Sequence, residues 1–177
     1  MSRVLVIGGS RSGKSVFAES LLADATEVEY VATAAARPDD EEWAQRIAGH
    51  RNRRPSHWHT VETGDLAAVL AADGPPVLVD SITTWLARMM DEHGCWTAAA
   101  TDRPPPAHSE WAEQLCSLWG STQRHVVAVS DEVGSGVVPG TESGRRFRDA
   151  LGELNQQLAA TADEVHLVVA GIPLRLK

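Results

Sequence analysis

The octapeptide G-G-S-R-S-G-K-S at residues 8–15 constrains this chain more than any other stretch. It follows the apolar run at 4–7 and precedes a segment whose apolar residues recur with helical spacing. A strand, a glycine-rich turn and a helix in this order are typical of a P-loop, whose backbone N–H groups bind phosphate oxygens. The sequence therefore predicts a nucleoside triphosphate site at the start of the chain.

Each fixed position of this loop has a physical role. Gly8 and Gly13 let the backbone curl around the phosphates, and the first turn of the following helix adds further N–H groups. The ammonium group of Lys14 is expected to bind the β- and γ-phosphates, and the hydroxyl of Ser15 is expected to ligate Mg²⁺. Lys14 and Lys177 are the chain's two lysines. The predicted nucleotide contacts in the loop are Gly8, Gly9, Ser10, Arg11, Ser12, Gly13, Lys14 and Ser15.

Length and composition indicate one ordinary globular domain over residues 1–177, with 43% hydrophobic and 23% charged residues. No apolar run reaches the ~20 residues of a membrane span, and the N-terminus carries no secretory signal pattern. Cys95 and Cys116 lack metal spacing, which favours reduced thiols and a cytoplasmic protein. The net charge of −8 argues against a nucleic-acid binder.

Apolar runs alternate with helical stripes along the chain, which predicts an α/β fold with a mostly parallel sheet flanked by helices. In such a fold the nucleotide lies at the carboxyl ends of the strands. The later strands are predicted at 28–33, 57–62, 77–80, 125–130 and 165–170, the last of them as the closing buried strand.

Asp80 ends the apolar strand V-L-V-D and has the place of a Walker B carboxylate. We expect it to hold Mg²⁺ together with Ser15. The irregular stretch at 94–107 is either a lid over the substrate or a surface connection between helices.

Arginines cluster around one histidine, His50, in an otherwise acidic chain. A helix is predicted to begin at Asp39 and Asp40, and it carries Arg46 and His50. Arginines bind phosphate oxygens in forked pairs, and a neutral imidazole is a competent nucleophile towards phosphorus. His50 is therefore the candidate nucleophile. The other six histidines are interpreted as structural, and four of them (His93, His108, His125 and His166) as lacking acidic or metal-spaced neighbours.

A P-loop alone leaves a switch GTPase, a motor ATPase and a small-molecule kinase open. The stretch D-E-V-G at 131–134 fits the D-x-x-G pattern of a GTPase switch. However, it lies late in the chain, and no N-K-x-D guanine motif accompanies it. The switch interpretation is therefore disfavoured.

Several ordered motifs together resemble those of the bifunctional adenosylcobinamide kinase / adenosylcobinamide-phosphate guanylyltransferase family of cobalamin biosynthesis. They are G-G-S-R-S-G-K-S, Y-V-A-T-A, R-I-A-G-H-R, V-L-V-D-S-I-T-T-W-L, D-E-V-G-S-G-V-V-P and the tail A-D-E-V-H-L-V-V-A-G-I-P-L-R-L-K. The resemblance runs from residue 4 to 177 and implies a P-loop NTPase-like, RecA-like fold. Relatives often carry Asn where this chain has Asp131.

The resemblance implies two transferase reactions. A nucleoside triphosphate first phosphorylates adenosylcobinamide, with GTP or ATP as donor. The histidine corresponding to His50 then carries GMP from GTP to adenosylcobinamide phosphate. Further nucleotide contacts are implied at Thr33, Ala34, Arg51, Asn52, Arg53, Arg54, Glu62 and Asp80. The helix with His50 is expected to move towards the P-loop about a hinge at 34–38. A homotrimer is also implied. The alternative is a nucleotide-binding regulator that hydrolyses GTP and transfers nothing.

Overall fold

The computed structural model describes residues 2–34, 55–97 and 105–177. Strands and α-helices alternate through these ranges, and a short 3₁₀ helix spans Pro106–His108. The strands are β1 (Arg3–Gly8), β2 (Val28–Ala32), β3 (Trp58–Glu62), β4 (Val77–Asp80), β5 (Val126–Asp131), β6 (Glu164–Val169) and β7 (Ile172–Arg175). The helices are α1 (Lys14–Ser20), α2 (Leu66–Ala71), α3 (Ile82–Glu92), α4 (Glu110–Ser121) and α5 (Glu142–Thr161).

The strands form one sheet in the order β3-β2-β4-β5-β1-β6-β7. Every neighbouring pair is parallel except β6 and β7. The predicted α/β fold with a mostly parallel sheet is therefore confirmed. Because β1 lies between β5 and β6, the loop that follows β1 emerges inside the sheet rather than at its edge.

Successive residues of the inner strands point to opposite faces of the sheet and bury both faces. Leu5, Val79 and Ala128 belong to the larger core, which includes apolar residues of α2, α3, α4 and α5. Val6 and Val129 belong to the smaller core, with Ala18 of α1. Among the described helices, α1, which follows the phosphate loop, therefore covers one face, and α2, α3, α4 and α5 cover the opposite face.

Polar residues fix where several helices begin. The Asp65 carboxylate accepts the N–H of Ala68 at 2.9 Å and caps α2. Ser81 and Thr84 form a capping box at the start of α3. Thr141 accepts the N–H of Gly144 at 3.1 Å at the start of α5. The first turn of α3 thus follows directly from the strand that ends in the predicted Walker B carboxylate.

The prediction of residues 165–170 as the closing strand was wrong. Strand β6 is followed by β7, which runs back along it with Val169 paired to Ile172. The chain reverses through Ala170 and Gly171, both of which have positive φ, 51° and 80°. The sequence I-P-L-R does not look like a strand because it contains proline, but an edge strand tolerates proline.

Three expectations fall wholly or mostly outside the described residues. They are the helix starting at Asp39 and Asp40, the hinge at 34–38, and the central part of the 94–107 stretch. Within the described ranges, no helix has both the length and the apolar composition of a membrane span.

Candidate nucleotide-binding site

The predicted P-loop joins the end of β1 to the start of α1. The N–H of Ser12 donates to the carbonyl of Gly9 at 3.2 Å, and the N–H of Phe17 donates to the carbonyl of Gly13 at 3.0 Å. Gly13 has φ 94°, a left-handed conformation that favours glycine. The strand–loop–helix context predicted from the sequence is therefore present.

Two of the loop glycines are required by close contacts. A Cβ on Gly8 would lie 2.6 Å from the Ser12 Oγ and 2.6 Å from the carbonyl oxygen of Val168. A Cβ on Gly13 would lie 3.0 Å from the Cα of Gly171. The N–H of Gly171 also donates to the carbonyl of Ser12 at 2.7 Å. The turn between β6 and β7 thus packs against the phosphate loop and is hydrogen-bonded to it.

The ammonium group of Lys14 is held at the mouth of the loop. Its Nζ lies 2.6 Å from the Asp131 Oδ1 and donates to the carbonyl of Gly9 at 3.2 Å. The two side chains of the ion pair are 13% and 27% exposed, so the pair is partly shielded from water. Asp131 reaches Lys14 because the register of β1 and β5 places Asp131 beside Gly8, the residue with which the P-loop begins.

The backbone of Asp131 is fixed by helices α3 and α5. Its N–H donates to the Thr83 Oγ1 at 2.8 Å, and its carbonyl accepts the Asn155 Nδ2 at 3.1 Å. The next residue, Glu132, donates its N–H to the carbonyl of Gly8 at 3.0 Å. The end of β5 is therefore held rigidly against the phosphate loop.

The stretch after Asp131 forms a turn of its own rather than a GTPase switch pattern. The Glu132 carboxylate accepts the N–H groups of Gly134 and Ser135 at 2.8 Å and 3.2 Å. Burial acts to raise the pKa of Glu132, but hydrogen bonds from Ser135 and Gly134 hold that pKa below its ordinary value. The Glu132 carboxylate thus forms a local turn with Gly134 and Ser135, whereas Asp131 pairs with Lys14.

Asp80 lies at the carboxyl end of β4, where a Walker B acid is expected. One of its oxygens accepts a hydrogen bond from the hydroxyl of Tyr30, which is buried in the neighbouring strand β2. In the register of the sheet, Asp80 is level with Ala32, and Ala32 is level with Glu62 of β3. Asp80 and Glu62 therefore share the edge from which the phosphate loop emerges.

Thr33 is fully buried, and its hydroxyl joins β2 to the start of α3. The Thr33 Oγ1 lies 2.6 Å from the carbonyl oxygen of Ser81 and accepts the N–H of Ser81 at 3.0 Å. It also lies 2.7 Å from the Thr84 Oγ1. These contacts of the Thr33 side chain thus fix the position of Ser81, the residue that follows Asp80. Ala34 is the last residue described before the gap.

The donor atoms around the loop suit a triphosphate and Mg²⁺. The loop contains glycines at its close contacts and carries a cation, Lys14, that can bind phosphate. The Ser15 hydroxyl and the Asp80 carboxylate are oxygen ligands of the kind that Mg²⁺ takes. Among the described residues, no group of three His, Cys, Asp or Glu side chains is placed to hold a metal ion. A metal here would therefore depend on Ser15, Asp80 and the phosphates themselves.

The remaining predicted contacts lie outside the described residues. They are His50, Arg51, Asn52, Arg53 and Arg54. Of the histidines that the structure does describe, His166 and His108 have acidic neighbours. Their Nε2 atoms lie 3.0 Å from a Glu164 oxygen and 3.5 Å from a Glu153 oxygen. The sequence-based interpretation that they lack such company was wrong.

A family model described as cobinamide kinase / cobinamide phosphate guanyltransferase matches residues 4–176. The chain belongs to this family. The bifunctional adenosylcobalamin biosynthesis protein CobU of Escherichia coli strain K12 is 41% identical to it, over 98% of this chain and 99% of that protein. CobP of Pseudomonas aeruginosa is also 41% identical, over 99% of this chain and 97% of that protein.

The cobinamide kinase / cobinamide phosphate guanyltransferase family combines a kinase with a nucleotidyltransferase, so this chain is a member of an enzyme family. A solved structure with a similar fold is an ATPase of a bacterial type III secretion system, at a TM-score of 0.55 and 12% identity. The match covers 98% of this chain and 56% of that ATPase chain. This likeness concerns the fold, and it confirms the P-loop NTPase-like architecture.

In this member of the family, four residues that shape the site were not predicted from the sequence as site residues: Asp131, Tyr30, Thr83 and Asn155. Asp131 could have been found, because it ends a buried strand as Asp80 does. The other three act through long-range hydrogen bonds, at sequence separations of 50, 48 and 24 residues. No local pattern reveals such contacts.

Proposed function

We propose that the chain phosphorylates adenosylcobinamide with a nucleoside triphosphate and then transfers GMP from GTP to the product, which yields adenosylcobinamide-GDP. The observation that carries the proposal is the P-loop between β1 and α1, in a chain that the family model matches from residue 4 to 176. The loop supplies the triphosphate site that both reactions need.

In the kinase step, the hydroxyl oxygen of the substrate attacks the γ-phosphorus while the bond from that phosphorus to the β-phosphate oxygen breaks. The nucleoside diphosphate leaves, and the hydroxyl proton passes to solvent. The P-loop N–H groups and the Lys14 ammonium neutralise the charge that gathers on the phosphate oxygens. Ser15 and Asp80 would hold Mg²⁺, which would supply further positive charge there. Tyr30, by donating to Asp80, fixes the orientation of that carboxylate.

In the guanylyl step, a ring nitrogen of His50 attacks the α-phosphorus of GTP, and pyrophosphate leaves. A phosphate oxygen of adenosylcobinamide phosphate then attacks the same phosphorus, and the nitrogen–phosphorus bond breaks. The arginines Arg51, Arg53 and Arg54 are suited to holding the phosphate oxygens during both displacements. The sequence R-I-A-G-H-R supports this assignment of the nucleophile.

The nucleotide is expected to lie along the carboxyl edge of the sheet. Thr33, Ala34, Asn52 and Glu62 complete the predicted contacts. The alignment of Glu62, Ala32 and Asp80 across neighbouring strands supports a continuous binding edge. GTP serves the second reaction, and either GTP or ATP serves the first.

Incubation with α-labelled GTP separates this proposal from a regulator that only hydrolyses GTP. Stable label on the denatured protein is expected, and it should vanish in mild acid and survive alkali, as a phosphoramidate does. Formation of GDP without labelled protein would favour the regulator. The family match does not support that alternative.

Two variants then assign the steps. Lys14→Ala should lower both activities by roughly 10³-fold or more, because both begin with a triphosphate in the same loop. His50→Ala should lose labelling and guanylyl transfer but keep kinase activity, which needs no protein nucleophile. His59→Ala is the matched control, since His59 is exposed on β3 and should leave labelling unchanged. Labelling of His50→Ala would place the nucleophile elsewhere.

A homotrimer is part of the proposal. Exposed apolar side chains on the β6–β7 hairpin support an assembly surface: Val169, Ile172 and Leu174 are each more than half exposed. Light scattering of the purified protein tests it, with a mass of about three chains expected. A monomeric mass would contradict it. A cytoplasmic location is also inferred, because both reactions consume nucleoside triphosphates.

A further inference from the structure

Lys14, the cation that binds phosphate in a P-loop, forms an ion pair with Asp131 in this structure. The Lys14 Nζ lies 2.6 Å from the Asp131 Oδ1, the distance of a direct charge-assisted hydrogen bond. With 13% and 27% of the two side chains exposed, water screens this pair less than it screens a fully exposed one. The carboxylate is therefore a strong partner for the ammonium group.

The fold holds the backbone of Asp131 in place from three sides. Thr83 accepts the N–H of Asp131, and Asn155 donates to its carbonyl. The N–H of Glu132 binds the carbonyl of Gly8, which joins the end of β5 to the phosphate loop. Because the backbone of Asp131 is fixed at the end of a β-strand, its carboxylate can leave Lys14 only by rotation of the side chain.

A β- or γ-phosphate oxygen bound in the loop needs the same ammonium group. An ammonium has three N–H donors, so it can contact both anions, but the carboxylate and the phosphate then repel one another at short range. The phosphate must therefore either displace Asp131 or bind beside it. Displacing Asp131 and binding beside it each cost free energy, and a neutral side chain at this position would remove that cost.

We infer that Asp131 is a positioning residue of the phosphate loop, which holds Lys14 and competes with the terminal phosphates of the nucleotide for it. The inference rests on the proposed function, in which this loop binds the triphosphate. Asp131 weakens triphosphate binding and affects a monophosphate little, because Lys14 serves the β- and γ-phosphates.

The test is calorimetric titration of the whole protein with GTP and with GMP in the presence of Mg²⁺. Asp131→Asn keeps the shape of the side chain and removes its charge. We expect the Kd for GTP to fall about tenfold in this variant, and the Kd for GMP to stay within about twofold. Asp131→Ser, a second neutral variant, should shift the GTP affinity in the same direction.

Asp163→Asn is the matched control, because Asp163 also pairs with a cation, Arg3, at 3.0 Å. That pair lies at the start of β1, whereas the phosphate loop follows its end. The Kd for GTP should be unchanged in this control. A thermal melt of each variant verifies folding.

Unchanged or weaker GTP binding by both neutral variants would overturn the inference. Equal strengthening of GTP and GMP would overturn it too, since a general change in charge would then explain the gain. Failure of the unaltered protein to bind either nucleotide would overturn the proposed function together with this inference.

Discussion

Arg124 is a buried cation whose guanidinium donates four hydrogen bonds. Its removal should destabilise the fold more than the loss of a surface ion pair. Its side chain is 3% exposed and lies just before β5. The guanidinium donates to the Glu29 carboxylate at 3.0 Å, to the carbonyl of Val69 at 3.0 Å, and twice to the carbonyl of Pro75, at 3.0 and 2.7 Å. It thus joins β2, α2 and the loop before β4.

Arg124→Met fills much of the space but removes every donor. Two carbonyl oxygens would then lose these donors, and the Glu29 carboxylate, 22% exposed, would lose its ion-pair partner. Breaking a buried pair costs ~3–5 kcal/mol, and an orphaned buried acceptor costs ~1–3 kcal/mol. Because these costs overlap, we expect a loss of about 4 kcal/mol in the free energy of unfolding.

Urea unfolding followed by tryptophan fluorescence measures this loss. With an m-value of about 2 kcal/mol/M, the midpoint should fall by about 2 M. Arg88→Met is the control, since Arg88 makes an exposed i,i+4 pair with Glu92 at 2.7 Å, worth ~0.3–0.5 kcal/mol. A loss below about 1 kcal/mol for Arg124→Met, similar to this control, would refute the reasoning. The double variant with Glu29→Gln should recover part of the loss.

Three further predictions follow from local geometry. Gly13→Ala should weaken GTP binding at least tenfold and lower the unfolding free energy by about 1–2 kcal/mol, because φ is 94° there; calorimetry and urea unfolding measure these effects. Hydrogen bonds from Arg3 lower the pKa of Asp163 from 3.8 to about 2, so its contribution to stability, about 1 kcal/mol at this exposed site, is lost as the pH falls from about 4 to about 2. Acid unfolding of Asp163→Asn should therefore be less steep there. Burial, followed by the charge of Glu113, raises the pKa of the Cys116 thiol to about 11, so iodoacetamide at pH 8 should modify it at least about tenfold more slowly than free cysteine.

Each of these has a result that contradicts it. Normal GTP affinity in Gly13→Ala would show that the loop tolerates a side chain at its left-handed position. Equal acid sensitivity of Asp163→Asn and the unaltered protein would remove the Arg3 pair from the list of stabilising contacts. For Cys116, labelling is measured in a Cys95→Ser background, and alkylation as fast as that of free cysteine would mean that the thiol is accessible and easily ionised.

Much of the architecture could be predicted because its signals are local. The P-loop is a contiguous motif, and the strand that ends at Asp80 is a continuous apolar run with an acid at its tip. The hairpin of β6 and β7 was missed because its second strand is short, exposed and interrupted by Pro173. All four residues of β7 are exposed, so the strand lacks the alternation of buried and exposed residues that marks a half-buried strand.

The functional neighbourhood was less predictable than the fold. Asp131 and Lys14 are 117 positions apart in the chain, and it is the strand order that brings β5 beside β1. Parallel sheets separate spatial neighbours widely in sequence, since each strand requires a crossover connection. The role of His50 stays a prediction from its arginine-rich setting and the family resemblance.

The hydrogen bond from Tyr30 to Asp80 gives this protein a built-in spectroscopic probe. Tyr30 is the chain's single tyrosine, and its ring is 1% exposed. A protein labelled with ¹³C-tyrosine would therefore give one set of ring signals in an NMR spectrum, from a side chain bonded to the carboxylate proposed to hold Mg²⁺. The chemical shift of that ring reports changes at Asp80 without any added fluorophore or mutation, so metal and nucleotide could be titrated separately against one resonance.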